Sequence, residues 1–112
     1  MFGNMGKMLK LAGELKTRLP EMKQRLAEST YSETVGGGAV TATVSGKLAV
    51  VDLKIDLQAV AAQAGGEVDA EVLEDLVKAA VAAAQDRATE AAQVALKELT
   101  GGMEIPGLTD MM

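Results

Sequence analysis

The stretch Thr34–Asp56 constrains this chain most, because it alone carries the two-residue alternation of a strand. It reads Thr-Val-Gly-Gly-Gly-Ala-Val-Thr-Ala-Thr-Val-Ser-Gly-Lys-Leu-Ala-Val-Val-Asp-Leu-Lys-Ile-Asp. Val40, Ala42 and Val44 alternate with Thr41, Thr43 and Ser45, which places the apolar set on one face of a half-buried strand. A second run follows, with Ala49, Val51, Leu53 and Ile55 on one face and Asp52, Lys54 and Asp56 on the other. Between the runs, Ser45-Gly46 is expected to supply the positive φ of a tight hairpin. Thr30–Val35, ahead of three glycines, is β-branched and aromatic enough to form a third, edge strand. One small antiparallel sheet is the expected frame.

Both flanks are helical in pattern. Met8, Ala12, Leu15, Leu19, Met22 and Leu26 recur at alternating spacings of four and three, a heptad seam. With Ala12 at an a position, Lys16 and Lys23 fall at e, while Arg18 and Arg25 fall at g. Both shoulders are basic, so two copies zipped along this seam would meet with like charges. Pro20 costs about 3 kcal/mol in a helix interior, yet the seam keeps phase across it. One kinked helix over roughly residues 5–28 is expected. Towards the other end, Asp69 reads as an N-cap for Ala70–Leu99, a run with no Gly or Pro, and Gly101-Gly102 reads as its terminator. Leu73, Leu76, Val77, Ala80, Val81, Ala84, Ala88, Ala91, Ala95 and Leu99 form its apolar set.

The expected organisation is therefore α+β, in the order α-β-β-β-α, within one domain spanning 1–112. Residues 1–29 form a helical arm, 30–56 the sheet, 57–68 a loop with a short helical turn, 69–100 the long helix and 101–112 a tail. Two helices of about 36 and 45 Å exceed the roughly 34 Å diameter of a compact domain of this length. Apolar residues make up 48% of the chain, but many are Ala and the only aromatics are Phe2 and Tyr31. So thin a core cannot cover both helices and a sheet, and a homodimer is expected.

The residue inventory narrows the chemistry. Without His or Cys, imidazole bases, thiolate nucleophiles and the usual zinc ligands are missing. No Ser or Thr has a candidate base beside it, and the helix carboxylates read as a solvated face. Gly36-Gly37-Gly38 precedes a strand rather than a helix and lacks the lysine of a phosphate loop, so it reads as a connection. A non-enzymatic chain with no cofactor, no metal and no small-molecule substrate is expected. No window approaches the ~20 apolar residues of a membrane span, so a cytoplasmic location is expected. The net charge of −5 is unevenly spread: residues 1–28 carry +3 and residues 67–99 carry −5.

Several short pieces, in order and at their spacing, resemble the YbaB/EbfC family of nucleoid-associated proteins. They are Met1-Phe2-Gly3-Asn4, the three glycines with the Val40–Val44 strand, Gly46-Lys47 and Lys54-Ile55-Asp56. Leu73-Glu74-Asp75-Leu76-Val77, Leu99-Thr100-Gly101-Gly102 and Ile105-Pro106-Gly107 complete the set. The resemblance implies a homodimer whose first helices project as tweezer-like arms. It also implies double-stranded DNA binding in the bacterial nucleoid, with little sequence preference. Lys10 and Arg18 fall where the family's arm is commonly basic, and Arg87 on a basic position of the second long helix. Glu14 and Glu21 fall where many members carry Lys. The candidate DNA-binding set is Lys7, Lys10, Lys16, Arg18, Lys23, Arg25 and Arg87. The competing expectation is a dimeric adaptor for other proteins, with the basic arm residues paired to the acidic second helix.

Overall fold

A computed structural model describes residues 2–99 and 101, with the backbone alone for residues 2–4. The elements follow in the order α1 (Phe2–Glu28), β1 (Thr30–Val35), β2 (Val40–Ser45), β3 (Val50–Ile55), α2 (Leu57–Gln63) and α3 (Ala70–Leu99). The α-β-β-β-α arrangement expected from the sequence is present, with α2 as a short extra helix. The expected tail past Gly101 lies outside the described residues.

The sheet is a meander in the order β1-β2-β3, antiparallel throughout. Val40, Ala42 and Val44 on the central strand are fully buried, as their alternation requires. They meet Ala80, Ala84 and Ala88, which recur every fourth residue along one face of α3. Small side chains there let the helix approach the sheet closely, and Tyr31, Val35, Leu73, Leu76, Val77 and Val81 fill the margins. Burying Val40, Val44 and Val60 completely stabilises the fold by about 1.5–3 kcal/mol each. On the sheet's other face the hydroxyls of Ser32 and Thr43 lie 2.6 Å apart, and those of Thr34 and Thr41 2.8 Å apart. That polar ladder needs no cover.

The β2–β3 connection departs from expectation. Gly46 does not carry a positive φ; Leu48 does, at 67°. The turn is held by Leu48 N–H to Ser45 O at 2.9 Å and by Ser45 N–H to Ala49 O at 2.8 Å. Gln85 donates to the Leu48 carbonyl at 3.1 Å, tying the turn to α3. Gly46 is needed for a different reason: it passes directly under the end of α1, where a Cβ would overlap the Leu26 carbonyl. Its N–H donates to Ser29 O at 3.2 Å.

The apolar alternation of β3 is also shifted. A bulge between Thr43 and Val44 pairs Val44 with Val50 but Thr43 with Asp52. Val50 therefore joins Leu53 and Ile55 opposite the buried Val44, Ala42 and Val40, while Val51 is the extra residue. α3 packs over β1 and β2 and does not reach β3. Every residue of β3 is consequently exposed, with Leu53 at 39% and Ile55 at 41%.

α1 is a single helix of 27 residues with Pro20 inside it. It begins earlier than its apolar pattern indicated. Ser29 closes it, its hydroxyl and its N–H both donating to Arg25 O, at 2.7 and 3.0 Å. Asp56 caps α2 by accepting from the N–H groups of Gln58 and Ala59. Asp69 caps α3 by accepting from Glu71 N–H at 2.8 Å. Gly101, at φ 65°, ends it with an N–H to Glu98 O. The molecule measures 69 × 22 × 17 Å with a radius of gyration of 19.6 Å, far from the ~13 Å of a compact domain of about this size.

Candidate nucleic-acid interface

The elongation comes from the way α1 meets α3. The groove beside Leu26 and Ala27 is lined by Ala88, Ala92 and Leu96. The groove beside Arg18 and Met22 is lined by Ala95, Glu98 and Leu99. The helices thus run antiparallel, and α3 ends about level with Leu19. Leu19, Met22 and Leu96 are buried together there, with Leu26, Ala95 and Leu99 packed around them. Leu96 was absent from the expected apolar set of α3, because its register belongs to the α1 contact rather than to the sheet-facing row of alanines.

Half of the heptad seam is therefore occupied and half is not. Leu15 is half-buried, whereas Met8 is 66% exposed, with Met5 and Leu9 equally open. The first four turns of α1 project as an arm with little cover from the rest of the described chain. Its basic side chains lie in water: Lys7, Lys10 and Lys16 are all exposed. None of the three makes an ion pair with another described residue.

The remaining candidates sit differently. Arg18 and Arg25 are exposed but line the groove between α1 and the end of α3, together with Glu21, Glu28 and Glu98. Lys23 lies on the opposite shoulder, beside Gly46 and Lys47 of the hairpin turn. Lys47 and Lys23 thereby enlarge the positive surface at the arm's base, a neighbourhood that only the close pass of Gly46 under α1 creates. Arg87 is separate from the arm. It donates to Glu33 Oε1 at 2.9 Å and to Ser32 O at 3.4 Å, fastening α3 to β1. At 59% exposure of its side chain the pair is a surface ion pair, contributing at most about 1 kcal/mol. The structure thus gathers six of the seven candidate residues along α1 and leaves Arg87 as a strap on the sheet. Among the described residues no group of three or more acidic side chains is placed to hold a metal ion.

The comparisons with known proteins decide the family. The model of the YbaB/EbfC DNA-binding family matches residues 1–103. The chain belongs to that family. It is 38% identical over 106 residues to a nucleoid-associated protein of Clostridium acetobutylicum, covering 95% of this chain and 90% of that one. A nucleoid-associated protein of Gemmatimonas aurantiaca is 39% identical, covering 89% of this chain and 91% of that one. One from Clostridium botulinum is 40% identical, covering 94% and 88%. The crystal structure of an uncharacterized protein from Helicobacter pylori matches with a TM-score of 0.61, covering 88% of this chain and 97% of that one. At 21% identity, that likeness concerns the fold alone.

Proposed function

We propose that this YbaB/EbfC-family chain acts as a homodimer that holds double-stranded DNA in the bacterial nucleoid through phosphate contacts from the α1 arms, with little sequence preference. The observation that carries the reading is the projection of α1 past the end of α3, with Lys7, Lys10 and Lys16 in water and without acidic partners among the described residues. Twenty-seven helical residues span about 40 Å, a little more than the ~34 Å of one duplex turn. Cations spaced along such a rod face successive phosphates, which supply affinity without reading sequence.

The dimer rests on β3. Val50, Leu53 and Ile55, with Leu57 after them, make an apolar strip at an open sheet edge, an arrangement that water-exposed sheets avoid. A second copy laid on that edge would cover the strip and bring two arms to one assembly. Arg87 serves in this reading as a strap rather than a phosphate contact.

The test is duplex binding across salt by gel shift. About five or six phosphate contacts from two arms predict a log–log slope near −5, from ~0.9 per contact. Lys10→Glu with Lys16→Glu reverses two arm charges on each chain, away from the α1–α3 groove. Binding by this variant is expected to vanish at moderate salt, with helicity unchanged by circular dichroism. Equal affinity for parent and variant at low salt would remove the arms as the site and leave the adaptor role.

A further inference from the structure

We infer that the segment 102–112 of the same chain lies along the uncovered half of the α1 seam, an intramolecular cover for the arm. Four observations converge on this occupant. The seam positions Met8 and Leu15 and their neighbour Met5 continue the row of Leu19 and Met22 but have little or no apolar partner. α3 runs antiparallel to α1 and ends beside Leu19, so a chain leaving Gly101 in the same direction passes over Leu15 and then Met8. The length suffices: Leu19 to Met8 is about 16 Å of helix, and eleven extended residues reach about 36 Å. The segment also has the right composition. Met103, Ile105, Leu108 and Met111 offer apolar side chains, while Glu104 and Asp110 oppose Lys7, Lys10, Lys16 and Arg18.

A second copy's arm fits the same strip poorly, since e and g shoulders of both helices are basic and would repel. A docked segment puts carboxylates where DNA phosphates would sit. On the DNA reading given above, the two compete for one surface, and the fraction of arms left uncovered scales the apparent affinity.

The chain has no cysteine, so paired cysteines introduced by mutation report on docking without interference. Met8→Cys with Leu108→Cys is expected to cross-link within one chain under mild oxidation. Thr17→Cys with Leu108→Cys is the comparison, because Thr17 lies off the seam yet nearer the segment's origin at the end of α3. An unattached segment would reach Thr17 at least as readily, whereas a docked one forms the Met8 link at least tenfold faster. Equal rates, or cross-links only between chains, overturn the proposal. Ile105→Ser with Leu108→Ser releases the segment without changing charge. Duplex affinity is then expected to rise between about threefold and tenfold, and no rise overturns the competition. If the parent binds no duplex at all, the DNA reading fails while the cross-linking still decides the docking.

Discussion

Gly46→Ala tests the packing of the hairpin against α1, and two rules of thumb predict opposite signs for it. Gly46 has an ordinary backbone conformation, its φ lying outside the left-handed region. On that ground alone, replacing Gly by Ala should stabilise by about 0.4–1 kcal/mol through the unfolded state. The structure predicts the reverse. The added Cβ would overlap the carbonyl of Leu26 and come within 2.9 Å of the Ala27 amide nitrogen. These are backbone atoms in the last turn of a helix, so no side chain can swing aside. Either the turn moves, breaking the Gly46 N–H to Ser29 O bond and the Gln85 tie to Leu48, or α1 lifts and loosens Leu19, Met22 and Leu96. Overpacking costs about 1–3 kcal/mol where side chains can yield, so a backbone clash belongs at about 3 kcal/mol. At 4–8 °C per kcal/mol for a domain of roughly this size, the melting temperature should fall by more than about 10 °C in circular dichroism. Gly13→Ala is the control, since a Cβ there meets nothing within 4 Å on an exposed helix face. It should gain about 1 kcal/mol. A Gly46→Ala melting temperature at or above the parent's would refute the close approach of α1 to the turn.

Two further outcomes are expected besides the salt titration and the cross-linking. Leu53→Glu with Ile55→Glu places charge on the open edge of β3 and should convert a particle of twice the 11.6 kDa chain mass into one of single mass by light scattering at micromolar concentration; a parent already at single mass would defeat the dimer. Pro20→Ala restores a backbone hydrogen bond inside the unbroken α1 and should raise stability by about 1–3 kcal/mol in urea melts, whereas a loss would mean that the helix depends on a bend at Pro20.

Much of the architecture is legible in local pattern because each element buries a face of fixed period. The alternation of Val40, Ala42 and Val44 located the central strand, and Asp69 and Gly101 bracketed α3 by capping chemistry alone. What local pattern could not reveal are decisions made between elements. Val50, Val51, Leu53 and Ile55 are apolar whichever of them faces inward, so the bulge that moves Val50 onto the inner face leaves no mark in the sequence. Gly46 in a Lys-rich turn looks like a φ-driven glycine, and only the position of α1 above it shows that the missing Cβ is what matters. The positive φ fell on Leu48 because Gln85, a residue far along the chain, holds its carbonyl.

The basic arm shows the same division more sharply. In the heptad, Lys16 and Lys23 are equivalent, as are Arg18 and Arg25, and nothing in the spacing separates a free cation from one beside an acid. The separation depends on where α3 stops. Because it ends level with Leu19, Glu98 comes beside Arg18 and Arg25, while Lys7, Lys10 and Lys16 lie past the reach of any acid on α3. The stopping point is set by the Gly101 terminus and by the loop that starts α3 at Asp69, two features remote in sequence from the arm they expose. A shift of α3 by two turns towards the arm tip would have buried Met8 and put Glu98 near Lys10, turning a DNA-facing rod into an ordinary helical hairpin. The length of one helix therefore controls the charge of the other's surface, and that is why the candidate residues were nameable from the sequence but their division into free and flanked was not.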